Sequence, residues 1–183
     1  SNKSSGKTGI HISDYLERMG HGVTRISGVV ETSEVQSDIN ARTPQEMVDA
    51  VRDVMSKSAP DVWIVAAAVL DFQPVNPSME KMSSSDRPTP IDLEPSPRLI
   101  DYIRSSDSDA RIISFKLESG IETEELISRA RSHMKRCESD AVVANLLENL
   151  EGPGPRAHLV TENDVDEISD LEHLCISIES IVS

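Results

Sequence analysis

Apolar residues recur along the chain in two rhythms, helical stripes and short continuous runs, and the two alternate. Ile10, Ile12, Tyr15, Leu16 and Met19 stand at roughly helical spacing behind a small, polar opening stretch. Gly20 and Gly22 close the helix they predict, because glycine takes the left-handed conformation that a helix C-terminus often needs. Residues 23–27 read as a short strand, and a loop leads on to Thr43. There the helix-start signals coincide: Thr43 as N-cap, Pro44 at the first helical position where its missing N–H costs nothing, and Glu46 closing a capping box. Met47, Val48, Val51, Val54 and Met55 supply that helix's buried stripe.

Residues 61–70, DVWIVAAAVL, form a nearly continuous apolar run of strand length. Such a run predicts a central parallel strand covered by helices on both faces. Residues 72–97 hold six of the ten prolines. That density of missing donors and fixed dihedrals predicts a long flexible flap with no regular element. Beyond it the alternation resumes with a short helix over 99–104, a strand over 111–117, a helix over 122–137 and a strand over 141–145. A Gly/Pro loop at 152–155, a last strand over 157–161 and a helix striped by Leu171, Leu174, Ile178 and Ile181 complete the chain. Strand alternating with helix predicts a single α/β domain over residues 1–183, a three-layer Rossmann-like fold with a mainly parallel sheet and helices on both faces. In such sheets ligands bind at the carboxyl ends of the strands.

Composition narrows the class. With 183 residues, of which 37% are apolar, the chain can build a core without disulfide staples. Its longest uncharged apolar run, residues 62–70, is far short of the roughly 20 residues of a membrane span. Two cysteines, Cys137 and Cys175, and no signal-peptide pattern favour a reducing cytoplasm. The 32 acidic against 18 basic residues give a net charge of -14. That argues against nucleic-acid binding, which needs a basic surface. The acid is spread along the chain as a solvated face, so any polyanion site must concentrate positive potential locally, with Lys3, Lys7 and Lys81 as candidates.

Four segments carry candidate chemistry. Ser4, Ser5, Gly6, Lys7 and Thr8 partly match a phosphate-binding loop, but residue 1 is serine where that motif needs its first glycine. Small residues at a helix N-terminus, with lysines beside them, favour a phosphate site over a plain Gly/Ser turn. Ala66, Ala67 and Ala68 end a strand with side chains small enough for a planar ligand to reach the backbone. Asp71 just beyond reads as an acceptor for a ribose, a metal ligand, or the start of a turn. Phe72 and Phe115 both stand at strand ends, where a ring either stacks on a base or joins the core. Lys81, after Glu80, is either a solvated lysine or a point charge on a closing flap. His133 and Cys137, at i and i+4, are two metal ligands without a third.

In order and spacing these segments resemble phosphopantothenoylcysteine synthetase, the ligase of coenzyme A biosynthesis. SNKSSGKTG over residues 1–9 is similar to the family's S-N-x-S-S-G-K-x-G, and AAAVLDF over 66–72 to its A-A-A-V-x-D-[FY]. Glu80 and Lys81 resemble the start of its flap motif, ISFKLE over 113–118 its G/S-F-x-x-E strand end, and VVAN over 142–145 its [IV]-V-A-N. The resemblance implies a two-step reaction. The carboxylate of 4'-phosphopantothenate attacks the α-phosphate of CTP or ATP, giving an acyl-nucleotidylate and pyrophosphate. The amine of L-cysteine then displaces the nucleoside monophosphate.

It further implies that Asn2 polarises the acyl group and Lys81 neutralises charge on the α-phosphate, both as catalytic residues of the electrostatic kind. Nucleotide would lie against Ala66, Ala67, Ala68, Asp71, Phe115 and Lys81, and phosphopantothenate by Ser4, Ser5, Gly6 and Lys7, with Asn145 close by. Magnesium would screen the triphosphate. The resemblance also implies a homodimer and association with a phosphopantothenoylcysteine decarboxylase. The family's first strand and T-x-G-G-T turn are expected to be missing, because the chain opens directly on the SNKSSGKTG segment. Phe115 to Glu118 follow the form usual in ATP users, and the flap carries fewer lysines than the form usual in CTP users. The competing classes are a Rossmann-type oxidoreductase, which would need a G-x-G-x-x-G after a strand, and a non-catalytic nucleotide-binding or dimerisation domain.

Overall fold

Capping chemistry sets the helix boundaries in the computed structural model, which describes residues 6–28, 38–76, 90–150, 152 and 154–183. Helix α1 (Lys7–Arg18) starts behind Gly6, whose φ of 72° is left-handed. It ends in a Gly20 turn of φ 94°, where the His21 N–H reaches back to the Leu16 carbonyl at 3.0 Å. The short strands β1 (Ile26–Ser27) and β2 (Ile39–Asn40) pair in parallel as a small sheet of their own, so the strand expected over 23–27 shrinks to its last two residues. Helix α2 (Pro44–Ser58) begins as its sequence predicts. Thr43 Oγ1 accepts the Glu46 N–H at 3.1 Å, while the Glu46 carboxylate accepts the Arg42 N–H at 2.6 Å, one residue before the partner of an ideal capping box.

Strand β3 (Val62–Val65) is followed by β4 (Phe72–Pro74), β5 (Leu93–Pro95) and α3 (Leu99–Ser106). Next come β6 (Arg111–Glu118), α4 (Thr123–Cys137), β7 (Ala141–Leu146), a 3-10 turn (Leu147–Asn149), β8 (Ala157–Thr161), β9 (Val165–Ile168) and α5 (Leu171–Val182). The main sheet has the order β3-β6-β7-β8-β9. β3, β6 and β7 are parallel, and β8 is antiparallel to both its neighbours. Four of the five strands therefore run one way, and the sheet is mainly parallel as expected.

Side-chain alternation assigns the two faces. Ile113, Ala141, Val143, Ala157 and Leu159 pack with Ile12 and Leu16 of α1 and Leu174, Cys175 and Ile178 of α5. On the opposite face, Trp63 and Ile112 pack with Val51 of α2 and Ile103 of α3, and Val142, Ala144 and Val160 with Leu126 and Ala130 of α4. The three layers expected from the sequence are present.

Three expectations are corrected. The apolar run at 61–70 does not make a central strand: β3 ends at Val65 and, among the described residues, pairs with β6 alone. The central place belongs to β7, where Ala141, Val142, Val143 and Ala144 are fully buried. Run length cannot distinguish the two, because it reports how apolar a segment is and not what lies beside it. The proline-rich stretch is not wholly irregular either, since its two ends pair as the antiparallel ribbon β4–β5. Both prolines in that ribbon sit on two-stranded edges, where a missing N–H is tolerated. Finally, the strand over 157–161 is not the last: β9 follows it, unforeseen because it reads VDEI, with exposed acids at its centre in place of a continuous apolar run, as an outer strand with one wet side does.

Candidate functional site

The carboxyl ends of β3, β6 and β7 form one edge of the sheet, and α1 is aimed at that edge. His21, just past the end of α1, lies 3.6 Å from Glu179 on α5. Arg111, at the start of β6, donates to the Ile181 carbonyl at 2.8 Å and to that of Val182 at 3.3 Å. The C-termini of α1 and α5 thus meet the amino ends of the strands, and the N-terminus of α1, with Gly6 and Lys7, points to the carboxyl edge. A helix N-terminus brings partial positive charge and unpaired N–H groups.

Ladder register places the strand residues. Phe115 lies opposite Val143, and Leu117 opposite Asn145. Val143 faces α1 and α5, and Phe115 packs against the same cluster, so two-residue alternation puts Asn145 on that side as well. The β3–β6 ladder stops at the pair Val65–Ser114, so Ala66 leaves the sheet beside Phe115. Ala66 is half-buried, and Ala67 and Ala68 are exposed. The structure thus brings Gly6, Lys7, Ala66, Ala67, Ala68, Phe115 and Asn145 to one edge.

Asp71 lies beyond the end of β3, at the root of the β4–β5 ribbon. It is exposed, and its backbone carbonyl accepts the Ser96 N–H at 2.9 Å. Phe72, 58% exposed, belongs to the ribbon and not to the core. The positions Asn2, Lys3, Ser4, Ser5 and Lys81 lie outside the described residues. His133 Nδ1 is 3.8 Å from the Cys137 Sγ and 3.0 Å from an Arg136 guanidinium nitrogen. Burial, reinforced by Arg136, Lys116 and Arg98, lowers the pKa of His133, so its imidazole is neutral at pH 7. Among the described residues, no group of three His, Cys, Asp or Glu side chains is placed to hold a metal.

Two features of this end of the molecule went unread in the sequence. One is the β4–β5 ribbon, whose face combines Phe72 and Pro74 with Leu93 and Pro95, while Gln73 bonds Glu94 at 3.0 Å on the other side. Leu70 and Ile91, at 56% and 64% exposure, extend the apolar face. The signal was present as two period-2 series, 70-72-74 and 91-93-95, hidden by the prolines. The other is the double ion pair of Glu118, the last residue of the F-x-x-E stretch, which binds Lys116 Nζ at 2.9 Å and Arg129 at 3.0 Å. Lys-x-Glu on a strand was its only local sign.

A mainly parallel sheet with helices on both faces, and with a helix N-terminus, small residues and an aromatic ring gathered at its carboxyl edge, defines an α/β protein of the Rossmann-like kind, the class in which ligands bind at that edge. Residues 1–172 match the family described as DNA/pantothenate metabolism flavoprotein, C-terminal domain, and the chain belongs to that family. It is 38% identical over 147 residues to the coenzyme A biosynthesis bifunctional protein CoaBC of Thermococcus kodakarensis, covering 80% of this chain and 36% of that protein. It therefore spans little more than a third of that relative's length. The fold is shared with the DNA/pantothenate metabolism flavoprotein of Streptococcus pneumoniae, with a TM-score of 0.83 at 20% identity over 98% of this chain and 89% of that one. A Cab2 variant in complex with phosphopantothenate-cysteine superposes with a TM-score of 0.61 at 16% identity, over 99% of this chain and 80% of that one.

Proposed function

We propose that this chain is the ligase unit that joins 4'-phosphopantothenate to L-cysteine through an acyl-nucleotidylate, at the expense of CTP or ATP. The observation that carries the reading is the convergence, in a member of this family, of the α1 N-terminus with Ala66, Phe115 and Asn145 at one sheet edge. Each part has a chemical use there. The helix N-terminus, with Gly6, Lys7, Ser4 and Ser5, suits the phosphate of phosphopantothenate. Ala66, Ala67 and Ala68 admit a flat base to the backbone, Phe115 offers a ring edge or face to it, and the exposed Asp71 carboxylate suits a ribose hydroxyl. Asn2 would polarise the acyl group and Lys81 would offset charge growing on the α-phosphate, both strongest in the transition state. Magnesium would travel on the triphosphate, because this cation is usually held by phosphates and one or two carboxylates instead of an all-protein cage.

The partners follow the same reading. The relatives are bifunctional coenzyme A proteins, which supports work beside a decarboxylase in the cytoplasm. The apolar face of the β4–β5 ribbon is uncharged on a chain of net charge -14, and burying it against a second copy would form a homodimer without bringing like charges together.

The test is pyrophosphate release from CTP and from ATP in the presence of 4'-phosphopantothenate, with and without L-cysteine. The expected result is release that requires the acid, proceeds without cysteine in a single turnover, and yields nucleoside monophosphate once cysteine is added. No acid-dependent release with either nucleotide would reject the function.

A further inference from the structure

Among the described residues, the tip of β6 is paired on one side only. Its ladder with β3 ends at Ser114, while its ladder with β7 runs on to the pair Glu118–Leu146. Residues 115–118 therefore project as the outer, half-paired end of the strand, and such ends open most readily. Phe115 lies in this stretch and faces α1. Lys116 and Glu118, two residues apart, face α4.

We propose that Glu118 is a positioning residue for nucleotide, a brace that sets how the β6 tip presents Phe115. Its two carboxylate oxygens are taken by two different cations. Oε1 binds Lys116 Nζ of its own strand at 2.9 Å, and Oε2 binds an Arg129 guanidinium nitrogen of α4 at 3.0 Å. Arg129 is in turn fixed by Glu125 at 2.6 Å. The Glu118 side chain is 16% exposed, against 33% for Lys116 and 46% for Arg129, so the carboxylate is the shielded member of pairs whose cations remain in part screened by solvent. The neighbouring tip is laced in from the same side: the Glu148 carboxylate, just past β7, accepts the Gly120 N–H at 2.8 Å. Gly120 can make that turn because its φ is 68°. Both braces lie toward α4 or in the loops, and among the described residues Leu117, on the α1 side of the tip between Phe115 and Asn145, is 48% exposed. The brace acts through Phe115 and rests on the ligase reading.

The experiment uses the full chain with Glu118→Gln, which keeps the shape but offers one carbonyl oxygen to two cations, and Arg129→Gln, which removes the α4 half. Three quantities are measured: KM for nucleotide and for 4'-phosphopantothenate, kcat, and backbone hydrogen exchange. In Glu118→Gln the KM for nucleotide is expected to rise about tenfold, the scale of one charge-assisted hydrogen bond. The KM for phosphopantothenate and kcat should stay within about twofold, and exchange should accelerate over residues 114–120 alone. Arg129→Gln should shift the same quantities less. Unchanged exchange at the tip with unchanged nucleotide KM would overturn the brace, as would a uniform fall in kcat with faster exchange throughout the core. If the unmodified chain releases no pyrophosphate, the ligase reading fails, and the exchange measurement still decides whether Glu118 holds the tip.

Discussion

The two ends of β6 are finished in different ways. At the amino end, charged side chains are spent on backbone. Arg111 holds the carbonyls of Ile181 and Val182, Arg104 those of Ser108 and Glu138, and the Asp140 carboxylate accepts the Ile112 N–H at 2.7 Å. These bonds stitch α3, α5 and the α4–β7 turn to the start of the strand. At the carboxyl end the ties on the α4 side run mainly between side chains, with one carboxylate on the Gly120 N–H, and among the described residues Leu117 on the α1 side of the tip is 48% exposed. The contrast separates an end that stabilises from the end proposed to bind, which is where open α/β sheets keep their ligands.

The largest expected effect tests the binding end. Lys81→Ala should slow pyrophosphate release about a hundredfold or more without lowering Tm, since it removes charge stabilisation that matters mainly in the transition state. Unchanged release in a single-turnover assay would remove Lys81 from the mechanism. Next, Arg104→Ala should damage the stabilising end. Its side chain is 17% exposed and serves two carbonyls, so its loss should cost about 2 kcal/mol and lower Tm by about 4–8 °C. Calorimetry reads the first quantity, and an unchanged KM for nucleotide confirms that the two ends are separable.

Phe115→Ala sharpens the comparison from the other side. Loss of a stacking ring should raise the KM for nucleotide about tenfold, within the range known for base–aromatic contacts. Because the ring also packs on the α1/α5 cluster, Tm should fall by a few degrees as well. Phe115→Leu, which keeps the packing, should restore Tm but not KM.

The smallest effect concerns pH. The hydrogen bond from Lys116, aided by Arg129, holds the Glu118 carboxyl below the usual glutamate range. A group lowered in the folded state stabilises fully above its unfolded pKa, and that contribution is lost as pH falls through the folded value. Acidification should therefore loosen the β6 tip. Hydrogen exchange at residues 114–120 should rise in acid before exchange at β7 does, and Glu118→Gln should abolish that early step.

Much of this fold was legible in the chain because its signals are local. Thr43, Pro44 and Glu46 act within one turn of helix, and the 3.6-residue stripes of α2, α4 and α5 report their own buried faces. The recurrent strand–helix alternation was enough for the three layers. Within the candidate site, the residue types and spacing marked Gly6, Lys7, Ala66 and Phe115, and the family resemblance added Asn145. Asp71 was marked too, but the chain leaves the sheet before it, and it ends at the ribbon's root. The ribbon itself was missed because proline density and period-2 alternation give opposite instructions, and pairing between distant segments decided the outcome.

Sequence alone determined where the helices begin, which faces are apolar and which segments are candidates for phosphate-binding chemistry, because each of these depends on neighbours a few residues away. Only the tertiary structure decided that β3 lies at the edge while β7 lies at the centre, that the direction of α1 brings its N-terminus to Phe115 and Asn145, and that Lys116 and Arg129 meet on one carboxylate. Those outcomes depend on strand order and on contacts between residues far apart in the chain, and no local spacing encodes them.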